Sequence, residues 1–180
     1  MQCQRQSRSM ALKSVESILQ PDPRIADMYV VELGVTRRIT LADHHAAVAG
    51  IHLAGAAPAD VKAALDRARN TMIYAFFDYD LFVVGEVQAF GAFELALKHR
   101  LNGHGGAQRG TLRNLVDRAR KAAILPSLVS DSNSPGDAIE ALITLRNGLS
   151  HGSSDVHSPA MALDVVAACA SWIDHVYPPP

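Results

Sequence analysis

Cysteine is scarce in this chain: two residues in 180, Cys3 in a polar amino-terminal stretch and Cys169 inside an apolar helical pattern. That excludes a disulfide framework and a paired-thiolate metal knuckle, and it leads us to expect a reduced, cytoplasmic setting. Long apolar runs are missing too. The longest, such as residues 165–170, fall far short of the roughly 20 residues of a membrane-spanning helix, so no membrane partner is expected. The first nine residues, MQCQRQSRS, hold no apolar stretch, and no secretory leader is expected. Neither sign of charge is in excess: 17 Lys and Arg face 18 Asp and Glu, a formal net charge of −1. No global positive field draws nucleic acid in, and any such binding needs a local patch.

What is present is ordinary globular composition, with 48% hydrophobic and 19% charged residues in a chain long enough for one domain with a real core. The fold class expected is all-α, a bundle of four to five helices with a short amino-terminal extension. Residues 1–57 read as the extension or arm and residues 58–177 as the bundle. Within the arm, residues 10–19 suit a short helix, closed by Pro21 and Pro23. Met28-Tyr29-Val30-Val31-Glu32-Leu33, then Gly34, then Arg37-Arg38-Ile39-Thr40-Leu41 fit a small hairpin or an irregular arm equally well. Residues 42–53 suit a helix.

From Pro58 onward the period becomes helical. Residues 59–101 contain no proline and two glycines, giving one long helix or two that meet near Asp78-Tyr79-Asp80. Phe90, Phe93, Leu97 and Leu101 recur on one face, and Asn102-Gly103 is a fair stop. After a glycine-rich loop, Leu112, Leu115, Val116 and Ala119 mark a further helix that Pro126 ends. Ser134 as cap, Pro135 at the first position and Asp137 in the first turn announce the next, with Ile139, Leu142, Leu145 and Leu149 as its buried stripe. Ser158-Pro159 repeats the signal for a last helix turning Met161, Ala162, Val165, Val166, Cys169, Trp172, Ile173 and Val176 inward.

The segment with chemistry is Arg146-Asn147-Gly148-Leu149-Ser150-His151. At about 100° per residue, Asn147 and His151 share a helix face, and the long Arg146 side chain can swing toward it. The partial negative charge of a helix C-terminus favours a protonated histidine, which exchanges protons near neutral pH. Arginine grips phosphate with two parallel N–H groups. RNA cleavage without a metal needs those parts: proton transfer as the 2′-hydroxyl attacks the adjacent phosphate, and stabilisation of the charge on phosphorus. One histidine is thin for both acid and base, so a symmetric dimer that opposes two such segments is part of the reading. The blander reading is that Arg146 and Asn147 cap carbonyls while His151 ends the helix.

Leu145-Arg146-Asn147-Gly148-Leu149-Ser150-His151-Gly152 resembles the arginine-x4-6-histidine signature of the HEPN superfamily, in which asparagine, aspartate or histidine often follows the arginine. Tyr74-Ala75-Phe76-Phe77-Asp78-Tyr79 with Glu86, then Ala92–Arg100, resembles the long helix that precedes the motif, and Trp172–Tyr177 fits the last helix. Coverage is roughly residues 58–177, and residues 28–57 resemble an extension of some bacterial members. The resemblance implies a helical bundle, usually a homodimer with the motif in the dimer groove. Its function would be that of a toxin- or defence-type endoribonuclease acting on RNA, with a possible antitoxin protein as partner, or of a degenerate binding module. Arg146 would hold the phosphate, His151 would move protons and Asn147 would position the pair. No metal and no cofactor are implied. Two features depart from an active cutter. Gly148 costs about 1 kcal/mol against alanine within a helix and could loosen the site, and the net charge is near zero.

Glu86 and Glu94, eight apart on the long helix, are candidates to orient Arg146 or His151; a surface or structural pairing is the alternative. Seven of the 17 basic residues lie between Lys98 and Lys121 against one acid, Asp117, so Lys98, Arg100 and Arg113 are candidate contacts for an RNA backbone. A solvated helix face explains the same run. His44, His45 and His52 lack a completing cysteine or carboxylate pattern for a metal. Tyr74, Phe76, Phe77, Tyr79 and Phe82 have the spacing of core packing.

Overall fold

The computed structural model describes residues 12–102, 110–128, 137–150 and 156–179. Among these the chain is mostly helical, with one small hairpin. The elements are α1 (Pro23–Ala26), β1 (Tyr29–Glu32), β2 (Val35–Arg38), α2 (Leu41–Ala49), α3 (Ala59–Tyr74), α4 (Leu81–Asn102), α5 (Leu112–Lys121), α6 (Ala138–Ser150) and α7 (Pro159–Val176). The long helical stretch is two helices, parted at residues 75–80 around the expected Asp78-Tyr79-Asp80 corner. No helix among the described residues is long and apolar enough to cross a membrane.

α4 is the central helix, packed against α3, α5, α6 and α7. Its buried stripe is Phe82, Glu86, Ala89, Phe90, Phe93, Ala96 and Leu97, a helical repeat interrupted by one carboxylate. α3 answers with Val61, Ala64, Leu65, Ala68 and Met72. The two approach closely at Gly85, where a β-carbon would sit 2.4 Å from Met72 Sδ. Glycine is what lets Met72 fill that space. α5 buries the expected Leu112, Leu115, Val116 and Ala119 behind a Thr111 cap. α7 starts with Ser158 as cap and Pro159 at its first position, and it buries Ala162, Val165, Val166, Cys169, Ile173 and Val176. Met161, expected inward, stays 40% exposed in the first turn.

The hairpin reading of residues 27–41 holds. β1 pairs antiparallel with β2 in the register Tyr29↔Arg38 to Glu32↔Val35, and Leu33-Gly34 makes the turn with both residues at positive φ. The expectation for the segment before the hairpin needs correction. Residues 12–20 form no helix, with turns over 15–19 and with Leu12, Val15 and Leu19 exposed. A segment this short cannot repay helix nucleation without burying a face, and the Ser17 hydroxyl bonds the Ser14 carbonyl instead. Pro23 does not close a helix but opens α1, capped by the Asp22 carboxylate. α6 itself begins at Ala138, and the Asp137 Oδ1 accepts from the Ile139 and Glu140 N–H groups at 2.8 and 3.2 Å. Ser134 and Pro135 lie outside the described residues.

Ile25, Val48 and Ala57 from the amino-terminal stretch join the same buried cluster as the bundle. The attachments are polar and specific. Asp22 accepts from the Tyr79 N–H, and the Asp22 N–H donates to the Phe76 carbonyl at 3.0 Å. Burial alone would raise the Asp22 carboxyl, but bonds from Arg24 and Tyr79 outweigh it and hold it at about 2. His44, buried, donates from Nε2 to the Met72 carbonyl at 2.6 Å, and burial pushes its pKa down, so it is a neutral structural group. Between α2 and α3, the Ala54 and Gly55 N–H groups are both held by the Asp174 carboxylate of α7. A β-carbon on Gly55 would lie 1.9 Å from the Tyr177 carbonyl oxygen, so this latch requires glycine.

Candidate functional site

α6 carries the motif, and its amino-terminal half is fixed by charge and apolar burial together. Ile139, Leu142 and Ile143 are buried, while Leu145 and Leu149 pack half-buried against the core. Arg113 of α5 grips Glu140 at 2.7 and 2.5 Å. Arg120 bridges Glu140 and Asp137 at 2.6 and 2.7 Å with 8% of its side chain exposed. The Arg113 guanidinium, with Arg120 adding, holds Glu140 at about 2 against the opposing effect of burial.

The motif occupies the last turn. Arg146 donates from Nη2 to Glu94 Oε1 at 3.3 Å and from Nη1 to Asn147 Oδ1 at 3.4 Å. Its side chain is 30% exposed and that of Glu94 17%. Asn147 and Gly148 are exposed, and α6 runs through Gly148 to Ser150 without a break, so the glycine does not end the helix. His151 lies outside the described residues.

Of the two acids expected near the motif, Glu94 meets Arg146 and Glu86 does not. Glu86 is fully buried, and its Oε2 accepts from His157 Nδ1 at 2.7 Å. Its other oxygen is sealed with no hydrogen-bond partner among the described residues. Burial pushes the Glu86 carboxyl up, and the bond to His157 pulls against that shift. Eight residues at 1.5 Å rise set the two carboxylates about 12 Å apart along α4. His157 was missed in the sequence, although a signal existed. A glutamate on the stripe of Phe82 and Phe90 must find a buried partner, but nothing in the sequence says which of eight histidines supplies it.

The basic stretch divides. Arg113 and Arg120 are engaged by the acids of α6, Arg100 and Lys121 are exposed, Lys98 is half-buried, and Arg109 lies outside the described residues. Elsewhere, an open cavity of about 190 Å³ between α3 and the loop after α2 is lined by His52, Leu53, Lys62, Leu65, Asp66 and Arg69. Arg69 is already bonded to Asp66 and to the Ala49 carbonyl, which leaves the cavity little attraction for an anion. The buried Cys169 thiol is pushed well up by burial, with the charge of Glu86 adding, so it is no nucleophile. Among the described residues no three His, Cys, Asp or Glu side chains gather as a metal site would require. No family model, curated protein or solved structure matches this chain.

Proposed function

We propose that this chain is a HEPN-type helical bundle acting as a metal-independent endoribonuclease of the toxin or defence kind, with a composite site between two copies. The observation that carries the reading is the last turn of α6. It presents Arg146, steadied by Glu94 and next to the exposed Asn147, with His151 five residues later in the sequence. In the reaction the ribose 2′-oxygen attacks phosphorus, the bond to the 5′-oxygen breaks, and a 2′,3′-cyclic phosphate is left. One histidine removes the 2′ proton and the other, from the second copy, protonates the departing 5′-oxygen. Arg146 stabilises the charge spread over the phosphate oxygens, and Asn147 positions the pair or contacts the phosphate.

Replacing His151 by alanine should abolish cleavage of mixed RNA substrates while circular dichroism shows an intact fold, and EDTA should have no effect on the unaltered protein. Undiminished cleavage by His151→Ala removes that residue from the mechanism. A second reading, a HEPN module that binds a nucleic acid, nucleotide or protein partner without cutting, is favoured by the engagement of Arg113 and Arg120 with α6 acids, which leaves less positive charge for a substrate groove. Salt-sensitive retention of RNA without cleavage would establish it.

A further inference from the structure

β1 and β2 pair only with each other, so each strand leaves one edge open. A lone hairpin is marginal in water. This one is held at its base by polar ties, Arg37 to Glu32 and to Asp43 of α2, and Arg38 to the Ala26 carbonyl. Its two open edges differ. β2 reads Val35-Thr36-Arg37-Arg38 and carries two like charges, a common guard of an exposed edge. β1 reads Tyr29-Val30-Val31-Glu32, with no lysine, arginine or proline, and it leaves Tyr29 58% and Val31 73% exposed.

The register fixes which main-chain groups face outward. The Ile39 N–H donates to the Met28 carbonyl at 3.0 Å, so Met28 and Ile39 are a hydrogen-bonded pair. Bonded pairs alternate along an antiparallel ladder, which makes Val30/Arg37 and Glu32/Val35 bonded pairs as well. Tyr29 and Val31 therefore aim their N–H and C=O groups away from β2. Among the described residues no other element bonds these groups.

We propose that the β1 edge is the docking face for a second copy of this chain, the two β1 strands pairing antiparallel about a two-fold axis at Val30. In that register Tyr29 of each copy stands opposite Val31 of the other and exchanges both main-chain bonds with it. Val30 meets Val30 in the non-bonded pair on the axis, and Glu32 stands opposite Met28, so no like charges face each other. An aromatic side chain opposite a β-branched one is a favourable cross-strand pair. The sheet then runs β2-β1-β1-β2 and no longer ends at β1. The same operation on β2 puts Arg37 directly opposite Arg37, which like charge disfavours. The Arg38 carbonyl on that edge also already accepts from the Arg37 side chain at 3.4 Å. The contact is short, so the dimer is weak, with a Kd in roughly the micromolar range or above. It goes beyond the ribonuclease reading and stands or falls without it.

The test places a cysteine on the axis of the full chain. Opposed residues of a non-bonded antiparallel pair have Cα atoms about 4.5 Å apart, within disulfide range. Val30→Cys in a Cys3→Ser background should cross-link into dimers under mild oxidation at least about tenfold faster than the more exposed Val35→Cys in the same background. Cys169 is buried and stays out of the reaction. In sedimentation equilibrium the unaltered chain should gain mass between about 1 and 200 µM, and Val31→Pro should raise the dissociation constant about tenfold or more. That proline deletes an outward N–H and leaves the bonds between β1 and β2 in place. Cross-linking no faster at Val30 than at Val35 overturns the proposal, and so does association that survives Val31→Pro unchanged, whichever other face carries it. A chain that stays monomeric up to about 200 µM overturns it too; an edge reserved for another protein's strand would behave in that way. Should Val31→Pro not fold, the two cysteine variants decide by themselves.

Discussion

The two ends of α6 are held by arginines in opposite ways. At the amino-terminal end Arg120 is almost fully enclosed, and with Arg113 it binds Asp137 and Glu140 through contacts of 2.5–2.7 Å. At the carboxy-terminal end Arg146 is 30% exposed and meets Glu94 at 3.3 Å and Asn147 at 3.4 Å. The first arrangement is what a helix anchor requires: short, multiply bonded and shielded from water. The second leaves an arginine steadied but reachable, in a turn where the helix's own partial charge is negative. Anchoring one end firmly lets the other remain open without the helix detaching from α4.

The comparison breaks most visibly if each arginine is removed in turn. Arg120→Ala leaves Asp137 without its arginine and Glu140 with Arg113 alone, and it should cost about 2–3 kcal/mol of stability, read as the midpoint of urea unfolding. Arg146→Ala should cost less than about 1 kcal/mol, because a long, partly exposed pair contributes little. Cleavage, however, should fall about 10²–10³-fold, as when one donor to a developing charge is lost. Equal stability losses at the two sites would refute the distinction between anchor and open end.

Acid should act on the anchor first. Glu140 is held at about 2 in the folded chain against an ordinary value of 4.5. A depressed carboxyl contributes stability that is full above the unfolded value and is lost as pH falls from 4.5 towards 2. Asp22, also held at about 2, adds to the same loss. Allowing for solvent screening, the Glu140 share is about 1 kcal/mol. Melting temperatures between pH 6 and pH 2 check it, and a flat profile would show that the clamp is electrostatically idle.

The same contrast explains how much was legible beforehand. The helices of the bundle announce themselves through apolar periodicity and caps such as Thr111 and Ser158-Pro159, because burial and capping are local consequences of residue order. The arm was harder. Residues 12–20 have helical spacing but form no helix, since whether a short segment finds a core to lie on depends on the rest of the chain. At the site, the pairing of Arg146 with Glu94 was among the options that the spacing of Glu86 and Glu94 left open. The partner of Glu86 was not, because His157 lies 71 residues away and the two meet only through the packing of α4. Arg113 read as an RNA contact because its neighbours in sequence are basic; its neighbour in space is Glu140.

The smallest expected effect tests the open end itself. Gly148 lies inside α6 with no positive φ, and a β-carbon added there meets nothing within 4 Å among the described residues. The packing of the described residues therefore gives no reason for glycine at this position, unlike Gly85, whose missing β-carbon makes room for Met72. Alanine should thus stabilise the helix by about 0.5 kcal/mol, less than the mid-helix value because the position is in the last turn. Gly85→Ala, by contrast, should destabilise by forcing Met72 to move. Thermal unfolding of the two variants side by side gives the answer. If Gly148→Ala instead lowers stability in a concentration-dependent way, the methyl group is striking something beyond the single chain. The last turn of α6 would then be covered by a second copy, as a composite site requires.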